Sequence, residues 1–176
     1  MRRELKFKKT REKQAATTLT KLDVKPRNEH QSELMKNIRT NSITFCSGMA
    51  GTGKTFIAVA LALESLLKNK VQNLVITRPI VETGEHLGHL PGTLEEKSAP
   101  YMRPINDTIK KLIPIGLNGH TTSVRVCPLA YMRGSTYDDT FIILDEAQNT
   151  TVDQMLMFLT RIGTNSKMVI TGDPQQ

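Results

Sequence analysis

Two cysteines in 176 residues are too few for a disulfide framework, and Cys46 and Cys127 stand in no metal-ligand spacing. Both read as buried thiols. Long apolar runs are missing too: the N-terminal stretch cannot form a signal peptide, and the longest apolar segment, within 56–63, cannot cross a bilayer. A cytoplasmic protein without a membrane partner is the expectation. No internal repeat or low-complexity segment occurs, and 176 residues fit one domain with a substantial core. His86 and His89 form H-x-x-H, yet no third ligand stands near, so loop packing is the better reading than metal.

Charge is scarce as an imbalance outside one segment. Residues 1–27 hold ten Lys and Arg against three acidic residues, which equals the net +7 of the whole chain. Residues 1–27 therefore read as a flexible basic arm and 28–176 as the folded domain. With Phe7 as its one aromatic, the arm suits a nucleic-acid contact and a solvated tail about equally.

What is present centres on residues 48–55, GMAGTGKT, which match the phosphate-binding pattern G-x-x-x-x-G-K-[ST]. The context agrees. ITFCS at 43–47 reads as a strand and TFIAVALALESLLK at 55–68 as a helix buried nearly all round. Gly48, Gly51 and Gly53, with Met49, Ala50 and Thr52 between them, would let backbone N–H groups face a polyphosphate at a helix N-terminus. Lys54 would meet the β and γ phosphates of ATP, and the Thr55 hydroxyl would ligate Mg²⁺.

Residues 141–146, FIILDE, form the second signal. A buried strand would deliver Asp145 to hold Mg²⁺ and Glu146 to polarise a water. Upstream, NEHQ at 28–31 leads into a helix through 31–38, and the Gln31 amide can pair with the adenine edge, selecting ATP over GTP. Further strands are expected at 71–77, 123–127 and 167–172, and helices at 93–113, broken around Pro100 and Pro104, and at 151–162. If the 167–172 strand lies between the other two site strands, Gln176 comes within reach of a γ-phosphate. Arg78 and Arg133 follow strands, where an α/β sheet carries ligand contacts, so both are candidates for an arginine finger or a nucleic-acid contact.

The motifs GMAGTGKT, TRPIVETGEHLGHLPG, PLAYMRG, FIILDEAQNTT and TGDPQQ, in this order, resemble the PhoH family of bacterial and bacteriophage P-loop ATPases over about residues 26–176. That family resembles the first motor lobe of superfamily-one helicases. N-x-x-Q at Asn28–Gln31 is similar to their adenine motif and G-D-x-x-Q at Gly172–Gln176 to their γ-phosphate sensor. The resemblance implies a RecA-like three-layer α/β fold with a mainly parallel sheet, Mg²⁺-dependent ATP hydrolysis, hexameric rings and a link to RNA. It also implies that Lys54, Thr55, Asp145, Glu146 and Gln176 are the ATPase residues. Family members continue past the point where this chain ends, through a strand that would flank the phosphate-loop strand. An exposed edge is expected there.

The leading expectation is an ATP-driven enzyme remodelling RNA or DNA, with an arginine finger from a neighbouring subunit; Arg78, Arg103, Arg133 and Arg161 are the candidates. The alternative is a slow nucleotide-dependent switch or scaffold. A small-molecule kinase ranks behind both, because Asp145–Glu146 favours activated water and no Arg-rich lid is visible.

Overall fold

Near-continuous apolar runs along the central strands set the architecture. In the computed structural model residues 24–80, 94–112 and 123–176 are described; the basic arm to residue 23 and the segment with His86 and His89 lie outside them. Strands β1 (Ile43–Ser47), β2 (Asn73–Arg78), β3 (Val124–Pro128), β4 (Thr140–Leu144) and β5 (Lys167–Gly172) form one sheet in the order β1-β5-β4-β2-β3. Every neighbouring pair is parallel. Helix α1 (Glu29–Thr40) precedes β1, and α2 (Lys54–Leu67), α3 (Leu94–Leu112) and α4 (Val152–Leu159) lie along the crossovers that parallel strands require. This is the three-layer α/β arrangement of a RecA-like P-loop NTPase, parallel throughout where a mainly parallel sheet was expected.

Successive side chains of a strand point to opposite faces, so each strand feeds two cores. Leu74, Ile76, Phe141, Ile143 and Val169 pack with α1, α2 and α3, while Val75, Ile142, Leu144, Met168 and Ile170 pack with Phe158 of α4 and with Leu129 and Met132. Helix α2 is the central element of the first core: Ile57 to Leu63 and Leu66 are all buried. That matches its nearly all-round apolar sequence, because sheet, α1 and α3 cover it from several sides.

The helix ends have local causes. Asn28 caps α1, its Oδ1 accepting from the Gln31 N–H at 2.9 Å. Thr151 and Gln154 close α4 with a reciprocal capping box. Helix α3 departs from expectation, running unbroken through Pro100 and Pro104. The two prolines are four residues apart on the exposed side, where water can satisfy the carbonyls that lose their N–H partners.

Strand β1 has β5 on one side and, among the described residues, no strand on the other. Phe45 is 62% exposed on the α4 face. The expectation of two buried thiols is half right: Cys127 is buried on β3, whereas Cys46, on the edge strand, is only partly covered. Burial raises both thiols above their ordinary value, against the opposing charges of Lys54 at Cys46 and Arg125 at Cys127.

Candidate active site

Strand β1 ends where the glycine-rich loop begins, and α2 starts at Lys54. Gly51 and Gly53 hold φ of +76° and +89°, a left-handed backbone that costs a side-chain-bearing residue energy. A Cβ on Gly53 would also stand 3.2 Å from Gln31 Nε2. Gly48 is under neither constraint, since an added Cβ there would come no nearer than 3.8 Å to Lys54.

The loop is anchored by the end of β5. Asp173 Oδ2 accepts the Ala50 N–H at 2.9 Å, and the Gly172 carbonyl accepts the Gly48 N–H at 3.2 Å. Lys54 curls over the loop, its Nζ donating to the carbonyls of Gly48 at 2.6 Å and Met49 at 2.8 Å. Thr52 donates to the same Met49 carbonyl at 2.8 Å. Gln31 reaches the loop from α1: Nε2 donates to the Thr52 carbonyl at 2.9 Å and Oε1 accepts the Arg27 N–H at 2.8 Å. One amide proton and one lone pair remain for an adenine edge.

Strand β4 is buried at all five positions and carries Asp145 to the same end of the sheet. This carboxylate is 6% exposed, and Oδ1 accepts from the hydroxyls of Thr55 at 2.7 Å and Thr171 at 2.8 Å. Its N–H donates to the Thr77 carbonyl at 2.9 Å, while Thr77 Oγ1 is buried without a partner. The donor set suits a hard divalent cation. Among the described residues no cluster of three or more His, Cys, Asp and Glu could hold a metal alone. A cation at Thr55 and Asp145 would complete its shell with phosphate oxygens and water, as Mg²⁺ commonly does.

Glu146 follows with φ +56° and ψ +43°, left-handed and hence strained for a residue with a side chain. Its Oε1 lies 3.1 Å from Arg78 Nη2, and its Oε2 accepts from Gln148 Nε2 at 2.6 Å. Gln148 Oε1 in turn accepts the Asp173 N–H at 3.0 Å. A bonded line thus runs from Arg78 through Glu146, Gln148 and Asp173 to the Ala50 amide.

Lys54, Thr55, Asp145, Glu146 and Gln176 line one cleft of about 290 Å³, together with Ala50, Gly51, Gly53, Phe56, Thr108, Gly172 and Asp173. Strand β5 does lie between β1 and β4, the condition for Gln176 to reach this cleft. An adjoining hollow of about 170 Å³ is walled by Val24, Gln31, Thr52 and Phe56. The other arginines stand elsewhere. Arg103 and Arg133 are exposed and do not line the cleft. Arg161 donates to the carbonyls of Met157 at 3.1 Å and Ser135 at 3.2 Å, pinning the end of α4. Sequence reasoning gave no role to Asp173, Gln148, Thr171 or Phe56. The first three lie inside the motifs TGDPQQ and FIILDEAQNTT, but their partners depend on strand order.

The family model described as "PhoH-like protein" matches residues 23–176. This chain belongs to the PhoH family. PhoH-like proteins of Mycobacterium tuberculosis and Bacillus subtilis are 49% identical over 158 residues and 47% over 152, covering 87% and 83% of this chain. Protein PhoH of Escherichia coli is 38% identical over an alignment of 197 residues that covers all of it. The chain spans about half the length of these PhoH relatives, between 44% and 56%. Among the described residues no helix is long and apolar enough to cross a membrane.

Proposed function

We propose that this PhoH-family chain binds ATP with Mg²⁺ and hydrolyses it, coupled to single-stranded RNA or DNA. The observation that carries the reading is the convergence of Thr55, Asp145 and Glu146 on the cleft that the phosphate loop borders. Loop N–H groups and Lys54 bind the β and γ phosphates, Lys54 exchanging its hydrogen bonds to the Gly48 and Met49 carbonyls for phosphate oxygens. Thr55 and Asp145 would hold Mg²⁺, which neutralises charge on the phosphate oxygens when bound. Glu146 orients a water and takes its proton, and Gln176 monitors the γ-phosphate. Gln31 reads the adenine edge beside Phe56.

A second reading has its own observation: no arginine lines the cleft among the described residues. Without such a group, worth about 10³–10⁵ in rate where measured, the site would hydrolyse slowly and act as a switch. A neighbouring subunit supplying Arg103 or Arg133 in a ring would remove that difference.

The deciding experiment is ATP turnover of the purified chain with and without single-stranded RNA, with Glu146→Gln as control. Turnover that rises with RNA and is lost in Glu146→Gln supports the coupled ATPase. Tight ATP binding without turnover in either condition supports the switch.

A further inference from the structure

The Arg78–Glu146 pair has a direction. The nucleotide cleft lies over β1, β5 and β4, and its lining includes Glu146 but not Arg78. Arg78 ends β2, on the other side of β4 from the phosphate loop, and reaches Glu146 from outside the cleft. Both side chains are partly open to solvent, at 23% and 32%, so a ligand approaching over β2 and β3 can touch the guanidinium without entering the cleft. In that direction stands a second cation: Arg78 is in register with Pro128, and the exposed Arg133 follows the turn Leu129–Met132.

We propose that Arg78 is a latch on the general base, released when a phosphate of a single-stranded nucleic acid takes its guanidinium. The inference rests on the nucleic-acid-coupled reading above and adds how the coupling is made. In the latched state Arg78 holds one oxygen of Glu146 and Gln148 holds the other, so both carboxylate oxygens are engaged by protein donors. A backbone phosphate can accept two parallel N–H bonds from this planar fork, whereas Glu146 meets Arg78 through Oε1 with its Oε2 already taken by Gln148. Once Arg78 leaves, Glu146 keeps Gln148 as its one tether. That tether leads through the Asp173 N–H and carboxylate to the Ala50 amide of the phosphate loop, which keeps the base in register with the nucleotide. The left-handed backbone at Glu146 is consistent with a residue held by its contacts instead of by local preference.

ATP turnover of wild type, Arg78→Ala and Arg78→Lys is measured with and without poly(U) RNA, with thermal melting and ATP affinity as checks on folding. The latch predicts that Arg78→Ala turns over ATP roughly fivefold faster than wild type without RNA, a factor equivalent to ~1 kcal/mol. RNA then adds little to it. Arg78→Lys keeps the charge but loses the fork and falls between. Anisotropy of a labelled oligo(U) supplies a readout apart from turnover: Arg78→Ala binds more weakly, and its salt dependence is shallower by about 0.7 in log–log slope, one phosphate contact on a single strand. Unchanged or lower RNA-free turnover in a folded, ATP-binding Arg78→Ala overturns the latch. The failures are separable. A wild type indifferent to RNA beside a faster Arg78→Ala leaves the restraint on Glu146 standing and overturns its release by nucleic acid, and the coupled reading with it. A stimulated wild type beside an equally stimulated Arg78→Ala with normal basal turnover overturns the latch alone.

Discussion

Thr55 Oγ1 and Asp145 Oδ1 stand 2.7 Å apart although 90 residues separate them in the chain. One comes from the first turn of α2 and the other from the end of β4, two strands away from β1. The bond puts a hydroxyl and a buried carboxylate together beside the loop, as a phosphate-bound cation would require.

Thr55→Ala should therefore raise the Mg²⁺ concentration for half-maximal ATP turnover by roughly 10-fold or more, while Thr55→Ser restores it. A Mg²⁺ titration of turnover, with melting as a check that the Asp145 network survives, is the measurement. An unchanged Mg²⁺ requirement would remove Thr55 from the metal site.

Gln31 should decide base preference. Its amide already braces Thr52 and Arg27 and keeps a donor and an acceptor for adenine. Gln31→Ala is expected to lower kcat/KM for ATP by about 5-fold, the low end for a bidentate base contact, and to change that for GTP much less. Equal losses for both nucleotides would mean that Gln31 only supports the loop.

The pH dependence of stability has a local source at Glu64 on α2, which pairs with Arg39 of α1 at 3.3 Å and with Lys68. Burial pushes this carboxyl up, but hydrogen bonds and charge from Lys68 and Arg39 outweigh it and hold it below the ordinary 4.5. A carboxyl depressed in the folded state stabilises above its unfolded value and loses that contribution as pH falls through the folded one. Wild type should exceed Glu64→Gln by about 0.5 kcal/mol or less near neutral pH, because both cationic partners are exposed, and the gap should narrow as pH falls below the ordinary 4.5. Urea denaturation across that range is the check. A gap that does not change with pH would assign the effect to packing.

Much of this was legible because it is local. The loop pattern, the apolar strands on either side of it and the Asp145–Glu146 pair are each contained in a few consecutive residues, whose periodicity and backbone preferences act over that length. Proline was misleading at α3, since its cost depends on whether the freed carbonyls face water, which its neighbours in sequence do not reveal. Cys46 was misjudged for a related reason: an apolar strand gives no sign of whether it will be central or at an edge.

By itself, then, the sequence determined the elements, the phosphate loop and the membership in a P-loop family, all properties written in short-range order. Only the tertiary structure decided which side chains meet. Strand order β1-β5-β4-β2-β3 sets Thr171 on Asp145, Asp173 on the loop and Arg78 on Glu146. Such contacts arise from how strands distant in the chain are shuffled within one sheet, and no spacing along the chain encodes them.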